Sequence, residues 1–243
     1  MAGHTFRINE ALDPKRLEAQ FRQTGRLHIP DFLEPGDAEQ LLASLKPSEL
    51  WKLVLNSDEK LFELDRMAQS ELTREQRQQL DEAVYAKARY GFQYRYETIR
   101  VPDEEAGRIA RATILDDFAR FLSDEPALSF FRTVIGDPTI TFADAQGTAY
   151  GPNQFLTAHD DGVSGKNRKA AFVMNLSKNW VVDWGGLLIF HETNSAKAEA
   201  LIPSFNSLNL FAVPQQHSVS MVAPFVPRRR YSVTGWLRSG SKP

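Results

Sequence analysis

The sequence predicts an α+β protein with a mainly β core, on three observations. Up to about residue 136 the chain reads as helix-periodic segments broken by short extended runs. From Pro138 onward strand-like runs take over, at residues 139–142, 154–157, 170–176, 187–190, 207–213, 218–222 and 231–237. No helical pattern lies between those runs, so they cannot build a parallel α/β sheet and read instead as a sandwich or barrel. The expected organisation is a single domain over residues 1–243, helix-rich over 1–136 with the β core over 137–240.

The elements follow in order. Asp13 is placed to cap a helix over 13–24, Pro14 suits its first position, Leu17 and Phe21 lie four apart, and Gly25 ends it. A short strand follows at 26–33, with Leu27 and Ile29 alternating. Glu34-Pro35 opens a second helix with Leu41, Leu42 and Leu45 as its apolar stripe. Residues 47–70 are mixed: Trp51, Leu53 and Leu55 alternate as in a strand, and Asn56-Ser57-Asp58 reads as a turn. Thr73 and Gln76 form a capping box for a helix to about residue 90. Phe92, Tyr94 and Tyr96 then alternate with Gln93, Arg95 and Glu97 in an extended segment. These rings read either as an aromatic wall for a substrate or as half-buried packing against the core, and packing is preferred. One amphipathic helix is expected over 107–122, and another from Pro126 to Ile135, stopped by Gly136.

Composition narrows the function. With 42% apolar and 25% charged residues the chain has the balance of an ordinary globular protein. A net charge of −2 gives no electrostatic case for nucleic acid or anionic membrane as partners. The absence of cysteine excludes disulfides, thiolate metal sites and thiol nucleophiles, leaving oxygen and nitrogen as metal ligands. The start, MAGHTFRINEALD, has no basic region followed by an apolar run, and no apolar stretch approaches the ~18–20 residues of a membrane span. A cytoplasmic location is the default expectation; the oligomeric state stays open.

The chemistry concentrates in YGPNQFLTAHDD, residues 150–161. His159 and Asp161 are two apart, so on a strand both would point to one face and could reach one ion. A histidine from a distant strand would complete a 2-His-1-carboxylate facial triad. His217 is favoured for that place over His191, because Arg230 follows His217 on the next strand-like segment. Arg230 offers a planar fork of donors suited to a carboxylate, and Ser232 shares its face if the segment is a strand. His4 reads as part of a mobile terminus and His28 as a hydrogen-bonded structural group. Arg228 and Arg229 read as a solvated basic loop, the Lys166–Lys169 cluster as a solvated turn, and Trp236 as core. Gly185 and Gly186 read as a tight turn or a close backbone approach.

Taken together, YGPNQFLTAHDD, RKAAFVMNLSKNW, WGGLLIFHE, LNLFAVPQQHSVSMV and RRRYSVTGW resemble the Fe(II)- and 2-oxoglutarate-dependent dioxygenase superfamily, prolyl-hydroxylase-like branch, over about residues 140–238. The resemblance implies a double-stranded β-helix, or jelly roll, supported by N-terminal helices. It implies Fe(II) held by His159, Asp161 and His217, with Arg230, helped by Ser232, gripping the distal carboxylate of 2-oxoglutarate. Tyr150 matches a tyrosine near that co-substrate. O2 would be the second co-substrate and ascorbate a candidate reductant. Asn153 departs from the pattern, standing where such segments commonly carry Gly. The implied reaction is hydroxylation of a C–H bond, with a prolyl residue of a peptide or protein as the substrate. A free amino acid or another small molecule would use the same core. A different metal-dependent jelly-roll enzyme and a non-catalytic binding module are the rival classes.

Overall fold

A computed structural model of the chain describes residues 3–57, 60–192 and 196–241. The first half contains α1 (Pro14–Thr24), β1 (Arg26–Ile29), α2 (Pro35–Leu45), β2 (Lys52–Ser57), β3 (Lys60–Asp65), α3 (Arg66–Glu71), α4 (Arg74–Ala88), β4 (Tyr94–Arg100), α5 (Glu105–Arg111), α6 (Ile114–Phe121) and α7 (Glu125–Ile135). The second half is strand after strand: β5 (Ile140–Tyr150), β6 (Phe155–His159), β7 (Arg168–Asn175), β8 (Leu188–His191), β9 (Ala198–Leu201), β10 (Ser207–Ala212), β11 (His217–Val219) and β12 (Arg230–Ser239).

The helix ends obey the local chemistry. The Asp13 carboxylate accepts from the backbone N–H groups of Lys15 and Arg16, and Gly25 closes α1 at φ 67°. Thr73 and Gln76 make both hydrogen bonds of a capping box on α4. Gly136 ends α7 at φ 74°. The single helix expected over 107–122 is in fact two. Ala112 turns to φ 48°, and Thr113 starts α6 with its own capping box to Asp116. Asp116 is fully buried and takes hydrogen bonds from Thr113 and Arg111, which hold its carboxyl below the usual range although burial pushes it up.

The strands form one antiparallel sheet that curls on itself in the order β1-β10-β7-β12-β5-β4-β6-β11-β8-β9, with β2 on β4 and β3 on β2. This is the jelly roll. Strand β4 is the joint, pairing with β5 through Glu97–Arg100 and with β6 through Tyr94 and Arg95. Strands from before residue 137 therefore hydrogen-bond directly into the C-terminal β core. Strand β12 lies between β5 and β7, in register Arg230↔Tyr150 and Ser232↔Asn175. Strands β3 and β9 and helix α3 had no sequence expectation, and the turn expected at 56–58 lies partly outside the described residues.

The main core fills the space between the outer face of this sheet and the helices α1, α2, α6 and α7. Phe118, Phe131, Leu41, Leu45 and Trp51 are buried there against Phe172, Met174, Val233 and Leu237. Each such side chain contributes ~1.5–3 kcal/mol through burial. Trp51 also donates its indole N–H to the Leu45 carbonyl at 2.8 Å. The N-terminal segment is pinned, against the expectation of mobility. His4 contacts Asp37 at 2.9 Å through its ring, and its backbone N–H donates to Asp117 at 2.9 Å. His28 plays the structural role expected, with Nδ1 2.7 Å from Asn209 Oδ1. No helix among the described residues is long and apolar enough to cross a membrane.

Candidate active site

Strand β6 ends on His159, so the strand rule that would align it with Asp161 does not apply. Asp161 lies beyond the strand at φ 61°, in the left-handed region. A turn aims its carboxylate instead. Asp160 Oδ1 accepts from the Gly162 N–H at 2.9 Å, and its carbonyl accepts from the Gln215 N–H at 3.2 Å. The guanidinium of Arg168 donates to the Asp161 carbonyl at 3.0 Å.

Three groups converge. Asp161 Oδ1 is 3.5 Å from His159 Nε2, and Oδ2 is 3.5 Å from His217 Nε2. The two imidazole centroids are 4.1 Å apart, and β11 lies against β6 with His217 opposite His159. One ligand atom from each of the three lies within 4.8 Å of the others. Both Nδ1 atoms face carbonyls, of Thr157 at 3.1 Å and Gln215 at 2.7 Å. A carbonyl only accepts, so each Nδ1 carries its hydrogen and each Nε2 lone pair is left for an ion. Separations of 3.5 Å approach the ~3 Å edge of an octahedron with ~2.1 Å bonds. Burial, and then the neighbouring His159, push the His217 imidazolium down to about 4, so the ring is neutral and ready to ligate at neutral pH. His191 is elsewhere, with Nε2 2.8 Å from Ser218 Oγ.

Arg230 opens β12 and projects into the same cavity, 1% exposed. Its Nε and Nη1 are buried with no hydrogen-bond partner among the described residues, and its guanidinium carbon stands 5.3 Å from the centroid of the Tyr150 ring. Burial lowers its pKa to about 10. A desolvated cation without an anion is costly, and a ligand carboxylate would relieve that cost. Ser232 shares the face and pairs its hydroxyl with Thr148 Oγ1 at 2.7 Å. Tyr150 stacks on Tyr96 at 5.2 Å, and burial raises both phenols, Tyr96 to about 12.

The cavity encloses about 420 Å³. Phe92, Tyr94 and Tyr96 line it, with centroids 5.6 and 5.7 Å apart along the row, while Gln93 and Glu97 are buried on the other face of the strand. The rings therefore line the cavity, while Tyr96 also keeps the packing expectation, lying against the cluster around Tyr150 and Val219. Trp236 packs against the Ala171–Phe190–Phe211 core cluster as expected and also lines the cavity, with Arg168 stacked on it at 3.5 Å. Strand parity with Arg230, Ser232 and Thr234 could have placed Trp236 there. Of the cluster read as a solvated turn, Lys166 is exposed, Lys169 reaches Asp137 at 3.5 Å, and Arg168 turns inward. Arg229 is not a free solvated charge: it pairs with the fully buried Glu97 at 2.7 Å. Asn153 takes φ 65°, a left-handed conformation that Asn tolerates best after Gly, which accounts for its place in the turn. Gly185 and Gly186 meet the close-approach expectation, since a Cβ on Gly185 would fall 2.0 Å from the Met221 carbonyl oxygen.

Residues 145–238 match the family model of the 2OG-Fe(II) oxygenase superfamily. That segment carries all six proposed site residues. Among curated relatives, the prolyl 3-hydroxylase OGFOD1 of Mus musculus is 31% identical over 134 residues, 52% of this chain. The chain spans 22% of the length of that relative. The structure resembles a prolyl-4-hydroxylase of Pseudomonas putida with a TM-score of 0.61 and 15% identity, over 94% of this chain and 100% of that one. It resembles the prolyl hydroxylase of Trichoplax adhaerens, solved with a hypoxia inducible factor oxygen degradation domain peptide fragment, with a TM-score of 0.61 and 17% identity over 93% and 90% of the two chains. These structural likenesses show the fold. As a 2OG-Fe(II) oxygenase family, the superfamily implies Fe(II), 2-oxoglutarate and O2, and the two-imidazole, one-carboxylate donor set at His159, Asp161 and His217 suits a borderline divalent ion such as Fe(II).

Proposed function

We propose that the chain is a single-domain Fe(II)- and 2-oxoglutarate-dependent dioxygenase that hydroxylates a prolyl residue in a peptide or protein. One observation carries the reading. The unpartnered guanidinium of Arg230 and the His159–Asp161–His217 cluster line the same cavity. A ligand with two acid ends would satisfy both at once. The prolyl substrate rests on the curated relative, a prolyl 3-hydroxylase of which this chain spans 22%.

With Fe(II) and 2-oxoglutarate held there, O2 would be the oxidant, one oxygen atom going to the C–H bond and the other to succinate as CO2 leaves, and ascorbate would keep the metal ferrous. The chain supplies the rest. His159 and His217 present Nε2 atoms fixed by backbone acceptors, and Asp161 presents its carboxylate from a turn tied by Arg168. Arg230 takes the distal carboxylate in a fork of two N–H donors, and the Ser232 hydroxyl, backed by Thr148, is a third donor. Tyr150 closes the space beside that carboxylate. Phe92, Tyr94 and Tyr96 on one side and Trp236 on the other give the substrate a mainly apolar seat that sheds water.

The test is mass spectrometry of prolyl peptides and of free proline after incubation with Fe(II), 2-oxoglutarate and air, with succinate measured in parallel. A gain of one oxygen on a prolyl peptide, with stoichiometric succinate, is expected. Oxygen gained only by a free amino acid replaces the substrate class, and 2-oxoglutarate left unconsumed with every substrate removes the oxygenase reading.

A further inference from the structure

A second cavity, of about 270 Å³, lies away from the first and shares no lining residue with it. Four cations surround it: Lys46 at the end of α2, Lys178 in the segment after β7, and Arg228 and Arg229 just before β12. Among the described residues no carboxylate lines it. This gathering stands out in a chain whose net charge is −2. The acids within reach do not balance it. Glu39 serves Lys178, and Glu97 is shared between Arg229 at 2.7 Å and Arg66 at 3.5 Å. Two of the cations are also braced by rings, with Arg228 5.1 Å from the Trp184 centroid and Lys178 4.6 Å from that of Phe205. The floor is apolar, made by Leu42, Leu176 and the buried ring of Trp180, with Tyr231 beside them.

We infer that this cavity binds a small phosphate monoester, its dianionic head among the four cations and its organic part on the Trp180–Leu176 floor. A dianion with three acceptor oxygens can engage donors arriving from several directions, which a single carboxylate cannot. The Arg228 fork suits that geometry, and Arg229, whose Nε is taken by Glu97, adds its positive charge beside it. The apolar floor favours an ester over inorganic phosphate, because the organic part buries surface there. The exposed setting makes binding sensitive to salt. The inference does not depend on the oxidation proposed above.

The experiment is calorimetric titration of the full chain at low ionic strength with inorganic phosphate, phenyl phosphate and benzoate, repeated on Lys46→Gln and Arg228→Gln. Both substituted side chains are exposed, and unchanged circular dichroism and melting temperature certify the fold. Saturable binding of phenyl phosphate is expected, at least tenfold tighter than benzoate and tighter than inorganic phosphate. Each substitution should weaken it about tenfold. Absence of saturable binding, equal affinity for benzoate, or affinity unchanged in both variants would overturn the inference.

Discussion

Arg230 lies with its guanidinium carbon 5.3 Å from the centre of the Tyr150 ring, the residue directly opposite it in the ladder between β12 and β5. The ring screens one side of the cation, yet Nε and Nη1 find no hydrogen bond among the described residues. The fold thus holds a charge in a place that only an added anion makes comfortable.

Removing that charge should act on the co-substrate before anything else. Arg230→Ala forfeits two charge-assisted hydrogen bonds, about 2–3 kcal/mol, or roughly a 30–150-fold rise in the 2-oxoglutarate concentration needed for half-maximal turnover. Arg230→Lys should recover only part of it, since a point charge does not reproduce the fork. Succinate formation against 2-oxoglutarate concentration reads both.

Arg168 is predicted to tune metal affinity without touching the ion. Its Nη1 fixes the Asp161 carbonyl, and its stacking on Trp236 fixes the guanidinium. Arg168→Ala should weaken Fe(II) binding by ~10–100-fold, the usual scale for an outer partner of a ligand. Anaerobic equilibrium dialysis measures it.

The buried His217 makes the metal-free protein sensitive to mild acid. Its folded pKa of about 4 lies below the ordinary histidine value of ~6.5. Between those values the unfolded chain binds the proton and the folded chain resists it, so stability falls as pH drops from about 6.5 to about 4 and is unaffected above that window. The loss is up to about 3 kcal/mol. Chelator-treated protein should melt lower at pH 5 than at pH 7, and His217→Phe should flatten that part of the profile.

Gly185→Ala should destabilise the fold by ~2–4 kcal/mol, combining a left-handed φ of 66° with the collision against the Met221 carbonyl. Asn153→Gly, where the left-handed conformation is already tolerated, should stay within about 0.5 kcal/mol of the parent. Denaturant unfolding separates the two.

Much of this was legible because caps and periodicity are local. Asp13, the Thr73–Gln76 box and Gly136 announce their helix ends in the sequence, and the structure keeps each. The break between α5 and α6 was equally local, since Thr113 precedes Asp116 by three, but a continuous apolar stripe masked it. Strand β9 was hidden because Ala198-Glu199-Ala200-Leu201 carries helix-favouring residues, and only pairing with β8 makes it extended. At the candidate site, residue types and spacing singled out His159, Asp161, His217 and Arg230, which line one cavity. They did not give Asp161's conformation, which a turn and Arg168 impose from outside the motif. The aromatic wall of Phe92, Tyr94 and Tyr96 was read as packing because alternation shows that the rings share a face but not which space that face meets.

The central claim is that His159, Asp161 and His217 bind one ferrous ion within reach of an acid held by Arg230. Anaerobic addition of Fe(II) and then 2-oxoglutarate, followed by visible absorption, tests it most directly. The parent chain should develop a charge-transfer band on adding the acid, Asp161→Ala should not, and Arg230→Ala should need far more acid to reach it. A parent chain with no band, or an Asp161→Ala chain with the full band, would contradict the account.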